Sequence, residues 1–397
     1  VWAGRHVVVG VSGGIASYKS CHLVRRLTEA GARVDVVLTP SAAEFVRPLT
    51  FEALSGRPVL TSLWERDRAL AHIRLGQDAD VLIVAPATAH FLARVAQGLA
   101  DELLTSILLA TTRPVLLAPA MNDQMYAAEP TRKNLALLRE RGFAFVGPEV
   151  GALAEGHSDR PGRMSEPETI LHHATRLLRG NGPLRGKRVV VTAGATREGL
   201  DPVRVITNPS SGKMGFALAQ AAWYRGAEVR LITGPSAEPA PAGVTIERIV
   251  STTELAVAVG AALPDADVLI MAAAPADYRS AAPFDAKRPR TDGRLLVELE
   301  PTEDILHSTR SRRKPGSIMV GFALETGNSE EKGREKLLRK ALDLIVINNA
   351  KEPGAGFEVD TNRVTILDRD GGRCEVPLAS KAMVAEQILD QVEARFA

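Results

Sequence analysis

Two segments of this chain open alike, and that shared opening limits the fold more than any other feature. His6-Val7-Val8-Val9 runs into Gly10-Val11-Ser12-Gly13-Gly14, and Arg188-Val189-Val190-Val191 runs into Thr192-Ala193-Gly194. Each run precedes a helical pattern and then a second apolar strand, Ala32 to Leu38 and Ala227 to Ile232. Each half later holds another continuous run ending in small residues and proline, Asp80 to Pro86 and Asp267 to Pro275. Strands apolar on both faces belong to parallel sheets covered on both sides. Alternation of strand and helix makes the expected class α/β, with two doubly wound, Rossmann-like domains. The 397 residues suffice for two cores. Gly and Pro cluster between Arg179 and Leu184, so the domains are expected at 1–182 and 183–397. The second half should close differently. Asn362 to Leu367, the turn Asp370-Gly371-Gly372 and Arg373 to Val376 read as a hairpin, followed by a helix from about Ser380.

Composition removes several classes. The 49 basic and 47 acidic residues leave a net charge of +2, which argues against a nucleic-acid surface. Aromatics are only 4%, too few for base-stacking platforms. No run of about 18 apolar residues points to a membrane span. Cys21 and Cys374 are far apart and lack metal-ligand spacing, which fits a reducing cytoplasm.

The loop from Thr192 to Gly215 spends Gly194, Gly199, Gly212 and Gly215 with Ser210, Ser211 and Lys213 before a helix near Phe216. Glycines permit close backbone approach, and a helix N-terminus favours an anion, so the design suits phosphate. It has neither Walker A nor GxGxxG spacing. A nicotinamide-dependent reductase is disfavoured for that reason, and because Asp35 lies inside its strand. Other polar residues cluster downstream. Asp277 follows a strand end, Lys287 with Arg288 and Arg290 precedes a strand expected at Leu295 to Leu299, and Phe322 follows Ile318 to Gly321. Lys336 and Lys340, four apart, share a helix face. Such a face is either solvated or nucleotide-binding.

In the first half, ligands of a doubly wound sheet sit at the carboxyl ends of strands. Those ends carry Ser12-Gly13-Gly14, Thr39-Pro40-Ser41, Pro86-Ala87-Thr88 and Pro119-Ala120-Met121-Asn122. Hydroxyls and glycine amides there suit a phosphate and a polar ring edge, or simply tight turns. His72 is open between core, surface and acid–base roles. Asn122 suits either a carboxylate contact or a helix cap.

GVSGGIASYK, the Ala-His-Ile segment, APATA and PAMNDQMY resemble the flavin-dependent cysteine decarboxylases. TAGATRE and DPVRVITNPSSGKMG resemble the phosphopantothenate–cysteine ligases. Together, in this order, they resemble the bifunctional enzymes of coenzyme A biosynthesis along nearly the whole chain. The resemblance implies CTP-dependent joining of cysteine to 4′-phosphopantothenate through an acyl-cytidylate, with Mg²⁺ accompanying the CTP. FMN-dependent decarboxylation of phosphopantothenoylcysteine to 4′-phosphopantetheine then follows. A carboxylate α to nitrogen has no electron sink, and a flavin that oxidises the thiol-bearing carbon and later returns the electrons supplies one.

For FMN the resemblance implies Ser12, Gly13, Gly14, Thr39, Ser41 and Thr88, with His72 as acid–base or orienting group and Asn122 on the substrate carboxylate. For CTP it implies Met271, Ala272, Ala273, Asp277, Lys287, Glu303, Asp304, Ile305, Leu306, Phe322, Lys336 and Lys340, with Asn208 holding the acyl-cytidylate. It also implies trimers of flavin domains and dimers of ligase domains, hence a dodecamer. Two departures stand out. Glu155 occupies the place of the family's flap cysteine, with one residue inserted before Gly162. Glu155 or His157 is then the expected proton donor; the alternative is a ligase whose flavin domain only assembles. In place of a Lys-x-Lys-Lys cluster stands Lys287-Arg288-Pro289-Arg290.

Overall fold

The run His6–Val11 (β1) lies inside a parallel sheet with Arg33–Leu38 (β2), Val81–Ala87 (β3), Val115–Pro119 (β4) and Ala144–Phe145 (β5), in the order β2-β1-β3-β4-β5. Its side chains alternate between two buried layers. Val7, Val9 and Val11 meet Leu23 and Leu27 of the helix Ser17–Glu29. Val8 meets Leu104 and Ile107 of the helix Leu103–Ala110 on the other face. That two-sided burial, about 1.5–3 kcal/mol per large aliphatic side chain, is why polar residues are excluded from the strand. An antiparallel hairpin, Glu149–Leu153 (β6) and Gly156–Arg163 (β7), follows the sheet.

This computed structural model describes residues 1–64, 70–289, 295–325, 329–349, 356 and 359–396. The chain divides into two units, Val1–Arg179 and Gly180–Ala397.

The second unit is built on Arg188–Ala193 (β8). A small arm, Arg197–Gly199 (β9) and Val205–Thr207 (β10), precedes Glu228–Thr233 (β11), Thr245–Arg248 (β12) and Val268–Met271 (β13). A second arm pairs Tyr278–Ser280 (β14) with Leu299–Pro301 (β15). Ile318–Glu325 (β16), Leu344–Asn349 (β17), Thr361–Asp368 (β18) and Arg373–Ser380 (β19) complete the strands. The main sheet runs β12-β11-β8-β13-β16-β17-β18-β19; the strands up to β17 are parallel, and β18 and β19 are antiparallel. The expected C-terminal hairpin is therefore present. Ser380 caps the helix Lys381–Glu393 that packs on it. Buried Arg225 fastens that helix through Glu386, Asp390 and Glu393 at 2.6–2.7 Å.

One expected strand is corrected. Leu295 to Leu299 contributes only its last residue to β15, because Ser280, Arg279 and Tyr278 pair with Leu299, Glu300 and Pro301. Leu296 is 89% exposed, so those leucines bury nothing in the core. Among the described residues, no helix is long and apolar enough to cross a membrane.

Candidate functional site

In the first unit, the carboxyl ends of β1, β2, β3 and β4 bring four loops together. Ser12 is buried, and its Oγ donates to the Pro86 carbonyl at 2.8 Å while accepting the Thr88 amide at 3.0 Å. That hydroxyl ties the β1 loop to the β3 loop, so it sets the pocket's shape before any ligand arrives. Thr88 caps the helix Ala89–Gln97, accepting from Phe91 N. Thr39 Oγ1 accepts from Ala42 N at 3.2 Å. Gly13 lies so close to Ser41 that an added Cβ would stand 2.3 Å from the Ser41 Cβ. Glycine is required there for approach, and the result is a cradle of backbone amides and hydroxyls.

Asn122 plays the capping role left open above. Its Oδ1 accepts from Gln124 N at 2.8 Å at the start of the helix Asp123–Ala127. Its Nδ2 donates to the Glu155 carboxylate. Glu155 stands in the Ala154-Glu155 turn of the β6–β7 hairpin, so the hairpin tip reaches the Asn122 loop through this residue. Two further ties dock the flap. Ser158 Oγ donates to Asp123 Oδ2 at 2.7 Å, and Met121 N donates to the Gly162 carbonyl at 3.0 Å. A Cβ on Gly162 would meet that Met121 carbonyl at 2.6 Å. The hairpin register is irregular between Glu149, paired with Arg163, and Gly151, paired with Ser158. His157 points elsewhere: it is exposed and faces Asp159 at 3.3 Å. His72 lies on the helix Ala71–Asp78, half-buried, with Nδ1 buried and without a hydrogen-bond partner. No described hydrogen bond joins it to the four loops.

In the second unit a cavity of about 650 Å³ opens at the carboxyl ends of β8, β13 and β16. It gathers Met271, Ala272, Ala273, Asp277, Glu303, Asp304, Ile305, Leu306, Phe322, Lys336 and Lys340 with Asn208. Residues as far apart in sequence as Asn208 and Lys340 are thus brought to one space by the crossover order of the sheet. Lys336 Nζ donates to the Phe322 carbonyl at 2.9 Å, and Lys340 Nζ pairs with Asp304 Oδ1 at 3.0 Å. Burial alone would raise the Asp304 carboxyl, but the hydrogen bond from Lys340 and its charge hold it below the usual carboxylate range. Asn208 Nδ2 donates to the carbonyls of Ala274 and Pro275 at 3.2 and 2.9 Å, fixing the carboxamide at the end of β13.

Lys287 is exposed and does not line this cavity. Its segment is moored instead by Asp201, which accepts from Arg288 N at 3.4 Å, while Arg204 donates to the Arg288 carbonyl at 2.9 Å. Burial pushes the Asp201 carboxyl up, yet amides of Val203, Arg204 and Arg288 and the Arg204 guanidinium outweigh it and bring it down to about 2. Arg290 lies outside the described residues.

The cavity also contains Lys381 and Asn362, which the sequence reading did not place in a site, beside Lys213 of the glycine-rich loop. Lys381 is buried, donates to the Gly356 carbonyl at 3.1 Å and faces the cavity with Lys213 and Asn362. Burial, then the charge of Lys213, pushes its ammonium pKa down. A signal existed: a lysine opening a helix opposes the dipole, so something else must hold it there.

A family model described as Flavoprotein matches residues 3–179. Another, described as DNA/pantothenate metabolism flavoprotein C-terminal domain, matches residues 184–396. The chain is 44% identical over 395 residues to the coenzyme A biosynthesis bifunctional protein CoaBC of Bacillus subtilis, covering 98% of this chain and 97% of that one. The chain belongs to the CoaBC family. The Escherichia coli K12 protein of the same name is 43% identical over 399 residues, covering 99% and 98%, and that of Mycobacterium bovis 45% over 403 residues, covering 98% and 96%. The similarity runs through both units.

Proposed function

We propose that this chain carries two successive steps of coenzyme A biosynthesis, with residues 183–397 as the ligase and 1–182 as the decarboxylase. The 650 Å³ cavity of the second unit carries the reading, because its lining combines an amide, a carboxylate and lysines around an aromatic side chain. Activating a carboxylate with a nucleoside triphosphate needs cations for the phosphates and a fixed group for the acyl intermediate. Lys336 and Lys340 supply charge, Phe322 packs the base, and Asn208 orients the acyl-cytidylate. Lys287 would approach from its exposed segment once CTP is bound. Mg²⁺ enters with the CTP. The substrates are CTP, 4′-phosphopantothenate and cysteine, and the product passed on is phosphopantothenoylcysteine.

The first unit's loops fit FMN. Gly13 and Gly14 provide amides at close range, Thr39, Ser41 and Thr88 provide hydroxyls, and the Ser12 ties hold the loops in place. Bound there, the flavin would supply the two-electron redox capacity that makes the cysteinyl carboxylate a leaving group. The chain's own residues then have three tasks. Asn122 Nδ2 holds the substrate carboxylate. His72, with its unpartnered Nδ1, orients the substrate or moves a proton. Glu155 delivers the final proton, and its contact with Asn122 favours it over His157.

A ligase with an inert flavin domain is not favoured. The Flavoprotein model spans residues 3–179, and the relatives named bifunctional match along nearly their full length. Trimers of flavin domains and dimers of ligase domains, hence a dodecamer, are part of this proposal on the family resemblance alone. We place the enzyme in the cytoplasm, where the free thiols Cys21 and Cys374 stay reduced. Incubating the protein with 4′-phosphopantothenate, cysteine, CTP and Mg²⁺ tests the reading. Mass analysis should show phosphopantothenoylcysteine and then 4′-phosphopantetheine; an unchanged mixture would overturn it.

A further inference from the structure

The helix Ser329–Arg339 ends on backbone that needs holding. Ala341 sits at φ 48°, in the left-handed region that disfavours a residue with a Cβ. The amides of Ala341 and Leu342 turn back onto the carbonyls of Leu338 and Leu337 at 3.1 and 2.9 Å. Beyond that turn, the carbonyls of Lys340 and Ala341 take hydrogen bonds from Arg313, Nη2 at 3.2 Å and Nη1 at 2.8 Å. A cation on helix-end carbonyls is electrostatically favourable. The same Nη2 also donates to the Leu306 carbonyl at 2.8 Å.

Leu306 lies in the short helix Ile305–Ser308, whose capping residue Asp304 pairs with Lys340. Arg313 is not among the residues lining the cavity; it stands behind them. One planar guanidinium therefore joins the two segments whose side chains meet inside the site. A lysine has no such fork and could serve these three carbonyls only in part.

We propose that Arg313 is a positioning residue for nucleotide binding, fixing the short helix Ile305–Ser308 and its cap Asp304 against Lys340 so that the pair closes on the triphosphate-bearing ligand. The inference rests on reading this cavity as the CTP site. The test uses the full chain and compares wild type with Arg313→Met and Arg313→Lys, measuring KM for CTP, kcat of ligation and the thermal melt. Arg313→Met should raise KM for CTP roughly tenfold or more, as loss of charge-assisted hydrogen bonds implies. Its kcat should stay within about threefold, and Arg313→Lys should recover only part of the loss. An unchanged KM in Arg313→Met, or a fall in kcat at constant KM, overturns the proposal. If Arg313→Met gives no cooperative melt, CTP titration of Arg313→Lys and Arg313→Gln decides. Affinity falling from Arg to Lys to Gln supports the role, and equal affinities overturn it. If wild type itself binds no CTP, the reading of the cavity fails and takes this proposal with it; wild-type binding matched by Arg313→Met overturns the Arg313 role alone.

Discussion

Replacing Gly13 with alanine tests the flavin cradle at its tightest point. The new Cβ would stand 2.3 Å from the Ser41 Cβ, 2.7 Å from its carbonyl carbon and 2.8 Å from its carbonyl oxygen. Carbon atoms in contact settle about 3.5–4.0 Å apart, so the two loops must separate by roughly 1 Å or more. Two of the three obstructing atoms are backbone, and no rotamer change relieves them. The Ser12 ties to Pro86 and Thr88 resist the movement from the other side. Forced overpacking costs about 1–3 kcal/mol. Expressed in the loaded state, that is a roughly 5- to 150-fold loss of FMN affinity. Titrating apoprotein with FMN and following flavin fluorescence measures it, with ligase activity reporting on the other unit of the same chain. Gly13→Ala binding FMN as tightly as wild type would refute the cradle.

Asn208→Asp should be worse for acyl transfer than Asn208→Ala, because a carboxylate would face the carbonyls that the amide now satisfies, a penalty of about 1–3 kcal/mol. Single-turnover assays should show CMP-activated intermediate persisting, and equal transfer rates in the two variants would contradict the assignment. Glu155→Gln should lower 4′-phosphopantetheine formation about 10²- to 10⁴-fold while His157→Gln changes it little, and the reverse order would remove Glu155 from the mechanism. Asp35 carries a pH-dependent share of the first unit's stability. Burial raises its carboxyl, but hydrogen bonds and charge from His6 and Arg57 outweigh that and leave it below the ordinary value. The native state thus binds fewer protons than the unfolded chain. The contribution is complete above the ordinary carboxylate range and is lost as pH falls through the depressed value. Asp35→Asn should flatten the acid limb of a urea stability profile, and an unchanged slope would speak against it.

The paired sheets were legible because β1, β3, β8 and β13 are apolar on both faces, a pattern only a covered parallel sheet accommodates. Leu295 to Leu299 misled for the opposite reason: apolar residues on an outlying arm look the same in sequence as core residues. Most of the cavity's lining was legible through the family resemblance, since the expected residues from Asn208 to Lys340 converge there, with the exception of Lys287. Its second rank was not. Arg313 acts through carbonyls, and a carbonyl carries no sequence identity. The same limit applies to Ser12, whose hydroxyl was read as a ligand contact but is committed to Pro86 and Thr88. The contact of Glu155 with Asn122 and the exposure of His157 depend on how the hairpin docks on the Asn122 loop, which local sequence does not reveal.

The ratio of carbon dioxide released to CMP formed tests the two-step account most directly. With carboxyl-labelled cysteine, 4′-phosphopantothenate, CTP and Mg²⁺, one label should leave as gas for each CMP once phosphopantothenoylcysteine reaches steady state. CMP accumulating while the label stays in phosphopantothenoylcysteine would contradict it.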